Sequence, residues 1–190
     1  ALKEQLYQQA EKAIEKVKVG ADILTGLDLM DLTDDARQEL KAKLLISYVK
    51  GQLDTHQAQL AREKAEAEKA FHWFIEFPEV FEEGGFDAFV GNPPFMGGMK
   101  ISTEFGIHYL RYLQSNYEGF GTADLCAYFF LRAFDLLIRS GSFGLLATNT
   151  IAQGDTREVS LDRIINKGGT IYRASSSQRW PGTAAVFVSV

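Results

Sequence analysis

Residues 85–98, GFDAFVGNPPFMGG, constrain the fold of this 190-residue chain more than any other stretch. Residues 86–90 have the apolar composition of a short buried β-strand, and the prolines follow directly after Asn92. Proline fixes φ near about −65° and holds the residue before it in an extended conformation. Asn92, Pro93 and Pro94 are therefore predicted to form a stiff, extended segment at the carboxyl end of the strand.

This segment is rich in hydrogen-bond acceptors. Because proline has no N–H group, the segment offers carbonyl oxygens and the Asn92 Oδ1, which suit a planar ring bearing an amino group. Phe95 adds a face on which that ring can stack. Two acceptors that hold the amine hydrogens favour the pyramidal form of the amine, whose lone pair is free to attack, and stabilise the positive charge that develops on nitrogen. With a sulfonium methyl donor, methylation of such an amine requires no strong base. The alternative is that Asn-Pro-Pro is only a rigid turn.

The patterns of apolar residues divide the chain into two parts. Residues 1–70 are helical in pattern, with predicted helices over 1–20, 34–50 and 53–70 and an N-cap at Thr33 or Asp34. The third helix either pairs with the second as a hairpin or projects as a solvated arm.

Residues 71–190 alternate between strands and helices. The predicted strands cover 86–90, 143–147, 170–174 and 184–190; the predicted helices cover 123–139 and 156–166, and a long loop covers 92–121. This alternation predicts an α/β domain with a mainly parallel sheet. Ligands of such sheets bind beyond the carboxyl ends of the strands, where Asn92 and Asn149 both lie.

Composition excludes several classes of protein and site. No run of about 18 apolar residues occurs, so no membrane span is expected, and the polar N-terminus does not begin as a secretory signal. A single cysteine, Cys126, cannot form an internal disulfide and fits the reducing cytoplasm. His56, His72 and His108 are scattered and have no cysteine cluster nearby, so no metal site is expected.

The charge is unevenly distributed along the chain. The formal net charge is −5, but residues 139–190 carry six basic and three acidic residues. This excess indicates either a weak basic patch or ordinary surface charge. Arg157, Arg173 and Arg179 are the candidates for contact with phosphate.

The motif GFDAFVGNPPF resembles motif IV of the amino-methyltransferases, whose pattern is Asp/Asn/Ser-Pro-Pro-aromatic after an apolar strand. The segments FHWFIEFPEVF, ADLCAYFFLRAFDLLIRSGSFGLLATNTIAQG and RWPGTAAVFVSV are similar to those of adenine-specific methylases from restriction-modification and phage-defence systems. The likeness covers residues 71–190. It implies the C-terminal half of a Rossmann-like methyltransferase sheet, preceded by a helical insertion over 1–70.

The resemblance implies roles for particular residues. The Asn92 side chain and the Pro93 carbonyl would hold the adenine amine, Pro94 would stiffen the segment, and Phe95 would stack on a base flipped out of double-stranded DNA. Flipping costs roughly a few kcal/mol. Further along the chain, Asp124 and Tyr128 lie in a region similar to motif V, Asn149 in one similar to motif VI, and Trp180 in one similar to motif VIII, where an aromatic contacts the base. Cys126 stands where relatives often carry an aromatic.

The implied methyl donor is S-adenosylmethionine, which the family binds with a glycine-rich turn ahead of motif IV. Residues 1–91 contain no such turn, and GFGTAD at 119–124 is predicted to be a loop. We therefore expect the chain to be an inactive piece of a longer enzyme whose donor-binding half lies upstream. The strand at 86–90 would then have an open edge, covered by the 1–70 helices or by self-association.

Two other functions remain open at this stage. A planar amide satisfies the same acceptors as adenine, so the acceptor could be a glutamine of a release factor or an RNA amine. In the non-enzymatic alternative, the chain is an interaction module in which Asn-Pro-Pro-Phe is only a turn.

Overall fold

The computed structural model describes residues 2–52, 55–179 and 187–189. The chain divides into two compact units, an N-terminal unit of residues 1–78 and a C-terminal unit of residues 79–190. The N-terminal unit contains four helices within the described residues: α1 (Leu2–Leu29), α2 (Asp34–Val49), α3 (His56–Ala67) and α4 (Trp73–Glu76).

From Pro78 onward, helices and strands alternate as the sequence predicts. The described elements are α5 (Pro78–Glu82), β1 (Phe86–Gly91), α6 (Gly98–Phe105), α7 (Ile107–Asn116), α8 (Leu125–Leu136), β2 (Leu137–Leu145), β3 (Ala147–Thr148), a 3₁₀-helix (Asn149–Ala152), α9 (Gly154–Val159), α10 (Leu161–Asn166), β4 (Gln178–Arg179) and β5 (Phe187–Ser189). This mixture of helices with a small parallel sheet is consistent with a methyltransferase-like α/β fold.

The helices of the N-terminal unit pack around a small apolar core. Ile23 and Leu27 of α1 are buried with Leu44 of α2 and with Ala58 and Ala61 of α3. The predicted end of the first helix at Gly20 is wrong, because burial of the later α1 residues extends the helix across that glycine. The third helix neither pairs only with α2 nor projects into solvent, because its alanine face lies against α1.

Gly26 of α1 permits this close approach, since a Cβ at position 26 would overlap the carbonyl oxygen of Ala61. We expect Gly26→Ala to lower the free energy of unfolding by about 1–3 kcal/mol, the usual cost of overpacking. Urea titration of the chain measures this loss. Gly20→Ala is the matched control: its Cβ would lie 3.0 Å from the movable Tyr48 ring, and alanine favours helix by about 1 kcal/mol. Equal stability of the two variants would contradict the packing of α1 on α3.

The strands of the C-terminal unit form two sheets among the described residues. β1 pairs with β2 in parallel, and β3, β5 and β4 form an antiparallel sheet in that order. The prediction of a mainly parallel sheet is therefore wrong for the second sheet. The predicted strand 86–90 is confirmed as β1, but the prediction that it is buried is wrong, because β1 pairs with β2 alone in the described part of the chain and Val90 is 92% exposed.

Helix α8 provides the core of the C-terminal unit. Leu125, Cys126, Ala127, Tyr128 and Leu131 are all buried in one cluster. This helix ends at Leu136, three residues before the predicted end, because the next residues extend to pair with β1. The predicted strand 143–147 is consequently split between β2 and β3.

Three further predictions for this unit are corrected. The predicted loop 92–121 contains the amphipathic helices α6 and α7, separated at Gly106, whose φ is 84°. The predicted helix 156–166 is two helices, because Ser160 leaves helical geometry at ψ −81°. The predicted strand 170–174 is irregular and almost entirely exposed, since it buries no apolar face. Of the predicted strand 184–190, residues 187–189 are confirmed and the others lie outside the described residues.

Candidate functional site

The parallel pairing of β1 and β2 brings the ends of the two strands together. Gly91 is the register partner of Leu145, and the Leu146 N–H donates to the Gly91 carbonyl at 3.1 Å. Asn92 therefore lies beside the chain that leaves β2 at Leu145 and reaches Asn149 four residues later. The two asparagines that the sequence predicts at strand ends follow strands of different sheets: Asn92 follows β1 of the parallel pair, and Asn149 follows β3 of the antiparallel sheet.

The segment Asn92–Phe95 leaves this edge without regular secondary structure. Asn92 and Pro94 are exposed, Pro93 is buried and Phe95 is half-buried. Within residues 2–52, 55–179 and 187–189, the Asn92 side chain makes no hydrogen bond, so its amide oxygen is available to a ligand. The segment thus presents an acceptor on a backbone that its prolines hold rigid.

The chain after Phe95 is fastened to the start of α8. The Met96 carbonyl accepts from the Leu125 N–H at 2.8 Å, and the Met96 N–H donates to Asp124 Oδ1 at 3.4 Å. Gly98 lies so close to Thr122 that any Cβ would overlap the Thr122 backbone. These contacts fix the C-terminal side of the Asn-Pro-Pro-Phe segment, whose N-terminal side continues β1.

Asp124 connects several elements around this segment. Its side chain is the N-cap of α8, accepting from the Cys126 N–H at 3.0 Å, and Oδ2 accepts from Thr148 Oγ1 at 3.5 Å. Its own N–H donates to Thr156 Oγ1 at 3.0 Å. Asp124 is only 5% exposed, so these bonds lie in a water-poor environment where they are costly to break. The residue therefore acts on the segment by positioning it.

Sequence reasoning could find only part of this arrangement. An aspartate before an apolar helical run is a recognisable N-cap signal, and Asp124 caps α8, although the predicted helix begins one residue before this cap, at 123. The contacts of Asp124 with Met96, Thr148 and Thr156 span 24 to 32 residues of sequence, and no local pattern signals them.

The side chains of Tyr128 and Cys126 lie in the apolar core of the C-terminal unit. Tyr128 is buried and packs edge-to-face on Tyr117, with ring centroids 5.8 Å apart. Burial raises the pKa of both phenols, that of Tyr117 to about 12. Burial, reinforced by the neighbouring Asp124 carboxyl, raises the pKa of the Cys126 thiol. The geometry gives these side chains a packing role.

Of the two residues predicted to bind substrate, Asn149 lies within the described residues and Trp180 does not. Asn149 is half-buried and holds Ser177: its Nδ2 donates to Ser177 Oγ, and its Oδ1 accepts from the Ser177 N–H, both at 3.3 Å. It therefore fastens the chain at 177 to the end of β3. Trp180 lies outside the described residues.

No metal centre or membrane-spanning segment is found in the described part of the chain. Its histidines, cysteine and carboxylates form no group that could hold a metal ion, and none of its helices is long and apolar enough to cross a bilayer. The Nε2 atom of His72 instead lies 2.7 Å from Oδ1 of Asp22. A cavity of about 260 Å³ lies between Tyr117, Asp135 and Lys167 and does not include Asn92–Phe95. Its cations are already engaged: Arg163 with the Tyr117 and Glu118 carbonyls, Lys167 with Asp135.

Comparison with known proteins bears on this geometry. Neither the curated proteins nor the solved structures include a match to the chain. The family model of the Eco57I restriction-modification methylase matches residues 10–169, which include β1, the Asn-Pro-Pro-Phe segment and α8. A match over this much of the chain establishes membership. The chain belongs to the Eco57I restriction-modification methylase family.

Proposed function

We propose that this chain forms the base-binding part of a DNA adenine N6-methyltransferase of a restriction-modification or defence system. The exposed Asn92 amide carries the proposal, because it stands free of hydrogen bonds within the described residues at the carboxyl edge of the parallel pair. In a family of restriction-modification methylases, an acceptor placed there suits the amino group of a nucleobase.

The proposed role of the segment is to prepare the adenine amine for methylation. The amine is a weak nucleophile because its lone pair is delocalised into the ring. Asn92 Oδ1 and the Pro93 carbonyl would each accept one N–H, favouring the pyramidal amine whose lone pair can attack a methyl group. Both oxygens would also stabilise the positive charge that develops on nitrogen. No proton acceptor stronger than water is then needed.

Phe95 is proposed to stack on the flipped base. Its half-buried ring follows directly after the prolines, where it can pack on the core with one side and meet a ligand with the other. Stacking of a base on an aromatic side chain contributes about 1–3 kcal/mol. We expect Phe95→Leu to lower kcat/KM for DNA by about 5- to 150-fold, since that factor corresponds to this free energy.

Steady-state kinetics with a series of DNA concentrations measures the effect of Phe95→Leu. Phe95→Tyr is the matched variant, because it keeps the aromatic face and should retain most of the activity. Phe74→Leu, an exposed aromatic substitution in α4, should leave kcat/KM unchanged. Equal losses in Phe95→Leu and Phe95→Tyr would show that the ring does not act by stacking.

The described residues do not fit the methyl donor, S-adenosylmethionine. β1 is followed by Asn-Pro-Pro-Phe and not by a glycine-rich turn. The glycines of residues 119–124 follow α7 and no strand; the Thr122 N–H donates to Asp155, and Gly119 lies against the Tyr128 ring. We therefore propose that the donor is held by another part of the natural gene product that contains this chain.

Calorimetry tests the assignment of the donor site. S-adenosylmethionine is titrated into the 190-residue chain and, separately, into the natural gene product. We expect heat of binding only with the gene product. Binding of similar affinity to the 190-residue chain would contradict the assignment.

The identity of the acceptor is tested with labelled S-adenosylmethionine and the natural gene product. Duplex DNA, transfer RNA and a release factor are offered in separate reactions at equal concentrations. We expect label to enter DNA. Transfer to the release factor or to RNA in preference to DNA would replace the proposed function, since a glutamine amide or an RNA amine can meet the same acceptors.

A further inference from the structure

The C-terminal part of the chain carries a local excess of cations. Residues 163–190 include four basic residues and no acidic residue. Two of the four are committed within the unit: Arg163 to the Tyr117 and Glu118 carbonyls and the Glu118 carboxylate, and Lys167 to Asp135. The other two, Arg173 and Arg179, are exposed and have no ion-pair partner in the described part of the chain.

These two arginines lie on a segment with the character of a contact surface. Every residue from 171 to 179 is exposed, including Tyr172 at 77%, and residues 170–176 have no regular secondary structure. Backbone N–H groups that belong to no sheet or helix can donate to an external acceptor. An extended chain rises by at most about 3.3–3.6 Å per residue, so the six-residue spacing of Arg173 and Arg179 spans up to about 20 Å.

Hydrogen bonds connect this segment, through Asn149 and Leu146, to the strand end that carries Asn92. Ser177 is held by two hydrogen bonds with Asn149, which follows β3. Three residues before Asn149, the Leu146 N–H donates to the carbonyl of Gly91, the neighbour of Asn92. Ser177 is therefore connected to the Asn92 end of β1 by these three hydrogen bonds and by the short stretch of chain from Leu146 to Asn149.

We propose that residues 171–179 form a phosphate-binding surface for the backbone of duplex DNA, with Arg173 and Arg179 as its charged contacts. This inference rests on the proposed function, because it takes DNA as the substrate whose base reaches Asn92. Charge complementarity selects the partner. Duplex DNA presents a dense row of negative charges, and cationic side chains bind it by releasing condensed counterions.

The charge of the rest of the chain would otherwise oppose the binding of DNA. The formal net charge is −5, and residues 71–138 carry nine acidic and three basic residues. DNA approaching Asn92 therefore meets a repulsive background, which a local cationic segment offsets. The guanidinium group suits this task because its planar donors match phosphate oxygens.

The experiment measures how DNA binding by the natural gene product depends on salt. For each phosphate that a side chain neutralises, the slope of log Kobs against log[salt] for B-DNA is steeper by about 0.9. We expect Arg173→Gln and Arg179→Gln each to reduce the slope by about 1, and the double variant by about 2. The substitutions should weaken the binding of cognate and unrelated duplexes equally, since phosphate contacts carry no sequence information.

Arg139→Gln is the matched control. Arg139 is also exposed, but it lies near the amino end of β2, away from the edge that carries Asn92. The slope of log Kobs against log[salt] for the Arg139→Gln variant should equal that of the unsubstituted protein. Urea titration should show equal stability for all the variants, because the substituted side chains are exposed.

The outcomes separate this inference from the proposed function. Unchanged slopes in Arg173→Gln and Arg179→Gln, or an equal change in Arg139→Gln, would overturn the phosphate-binding surface even if the protein methylates DNA. Reduced slopes together with methyl transfer to RNA or protein would support a DNA-binding surface and overturn the proposed reaction. A preference of residues 171–179 for single-stranded RNA over duplex DNA, abolished by the two substitutions, would overturn the choice of partner.

Discussion

Asn92→Ala in the natural gene product is expected to lower kcat for adenine methylation by about 100-fold or more. Removing one preorganised hydrogen-bonding group from a site of developing charge usually costs 10²–10³ in rate, which is about 2.7–4 kcal/mol. Here the lost group is the Oδ1 acceptor that is proposed to hold one amine hydrogen. Single-turnover kinetics with bound DNA measures the chemical step directly.

The control variants separate chemistry from folding. Asn92 is exposed and makes no hydrogen bond within the described residues, so Asn92→Ala should leave urea stability and donor affinity unchanged. Asn166→Ala removes another exposed asparagine, at the end of α10, and should keep the full rate. Asn92→Asp keeps two acceptors and should lose less activity than the alanine variant. A rate for Asn92→Ala within a factor of two of the unsubstituted enzyme would remove the amide from the mechanism.

Asp124→Ala is expected to give the largest loss of stability, about 2–4 kcal/mol. Loss of an N-cap costs about 1 kcal/mol, and buried donors left without an acceptor add about 1–3 kcal/mol. The affected donors are the N–H groups of Cys126 and Met96 and the hydroxyl of Thr148. Urea titration of the 190-residue chain measures the loss.

Asp135→Ala is the matched control for Asp124→Ala. Asp135 also lies on α8 and pairs with Lys167 at 3.0 Å, but the pair is exposed, and such pairs contribute at most about 1 kcal/mol. Asp124→Asn keeps one acceptor oxygen and should fall between the two alanine variants. If Asp124→Ala were no more destabilised than Asp135→Ala, the aspartate would not hold the Asn-Pro-Pro-Phe segment to α8.

Local patterns were sufficient to predict several elements. The N-cap at Thr33 is confirmed, since its hydroxyl accepts from the Ala36 N–H. The two glycines after the predicted helix 156–166 likewise end α10 by local chemistry: the Gly169 N–H donates to the Ile164 carbonyl, and Gly168 has a φ of 95°. Both signals act over a few residues, where backbone geometry and side-chain chemistry are read directly from the sequence.

Predictions failed where tertiary contacts decide the structure. Gly20 has the local character of a helix end, yet burial of Ile23 and Leu27 carries α1 beyond it. Ser140 and Gly141 have the local character of a turn, yet pairing with β1 makes them part of β2. In both cases packing with a distant segment outweighs an intrinsic preference of at most about 1 kcal/mol per residue.

The candidate site was predictable to a similar extent. The position of Asn92 at the end of a strand follows from the two prolines after it, because proline has no N–H group to donate to a neighbouring strand. The hydrogen bonds that join Asn149 to Ser177 and Asp124 to Met96 depend on how distant segments fold together, so they required the structure. The roles of Asn92–Phe95 in binding the base remain proposals, as does the covering of the exposed edge of β1.

Nucleoside analysis of modified DNA tests the central claim most directly. Duplex DNA methylated by the natural gene product with labelled S-adenosylmethionine is digested to nucleosides, which are separated and counted. We expect the label to lie in N6-methyl-2′-deoxyadenosine. We also expect almost no label in DNA that was treated with the Asn92→Ala variant. Label at carbon 5 of cytosine, or label in adenine that persists undiminished in Asn92→Ala, would contradict the central claim.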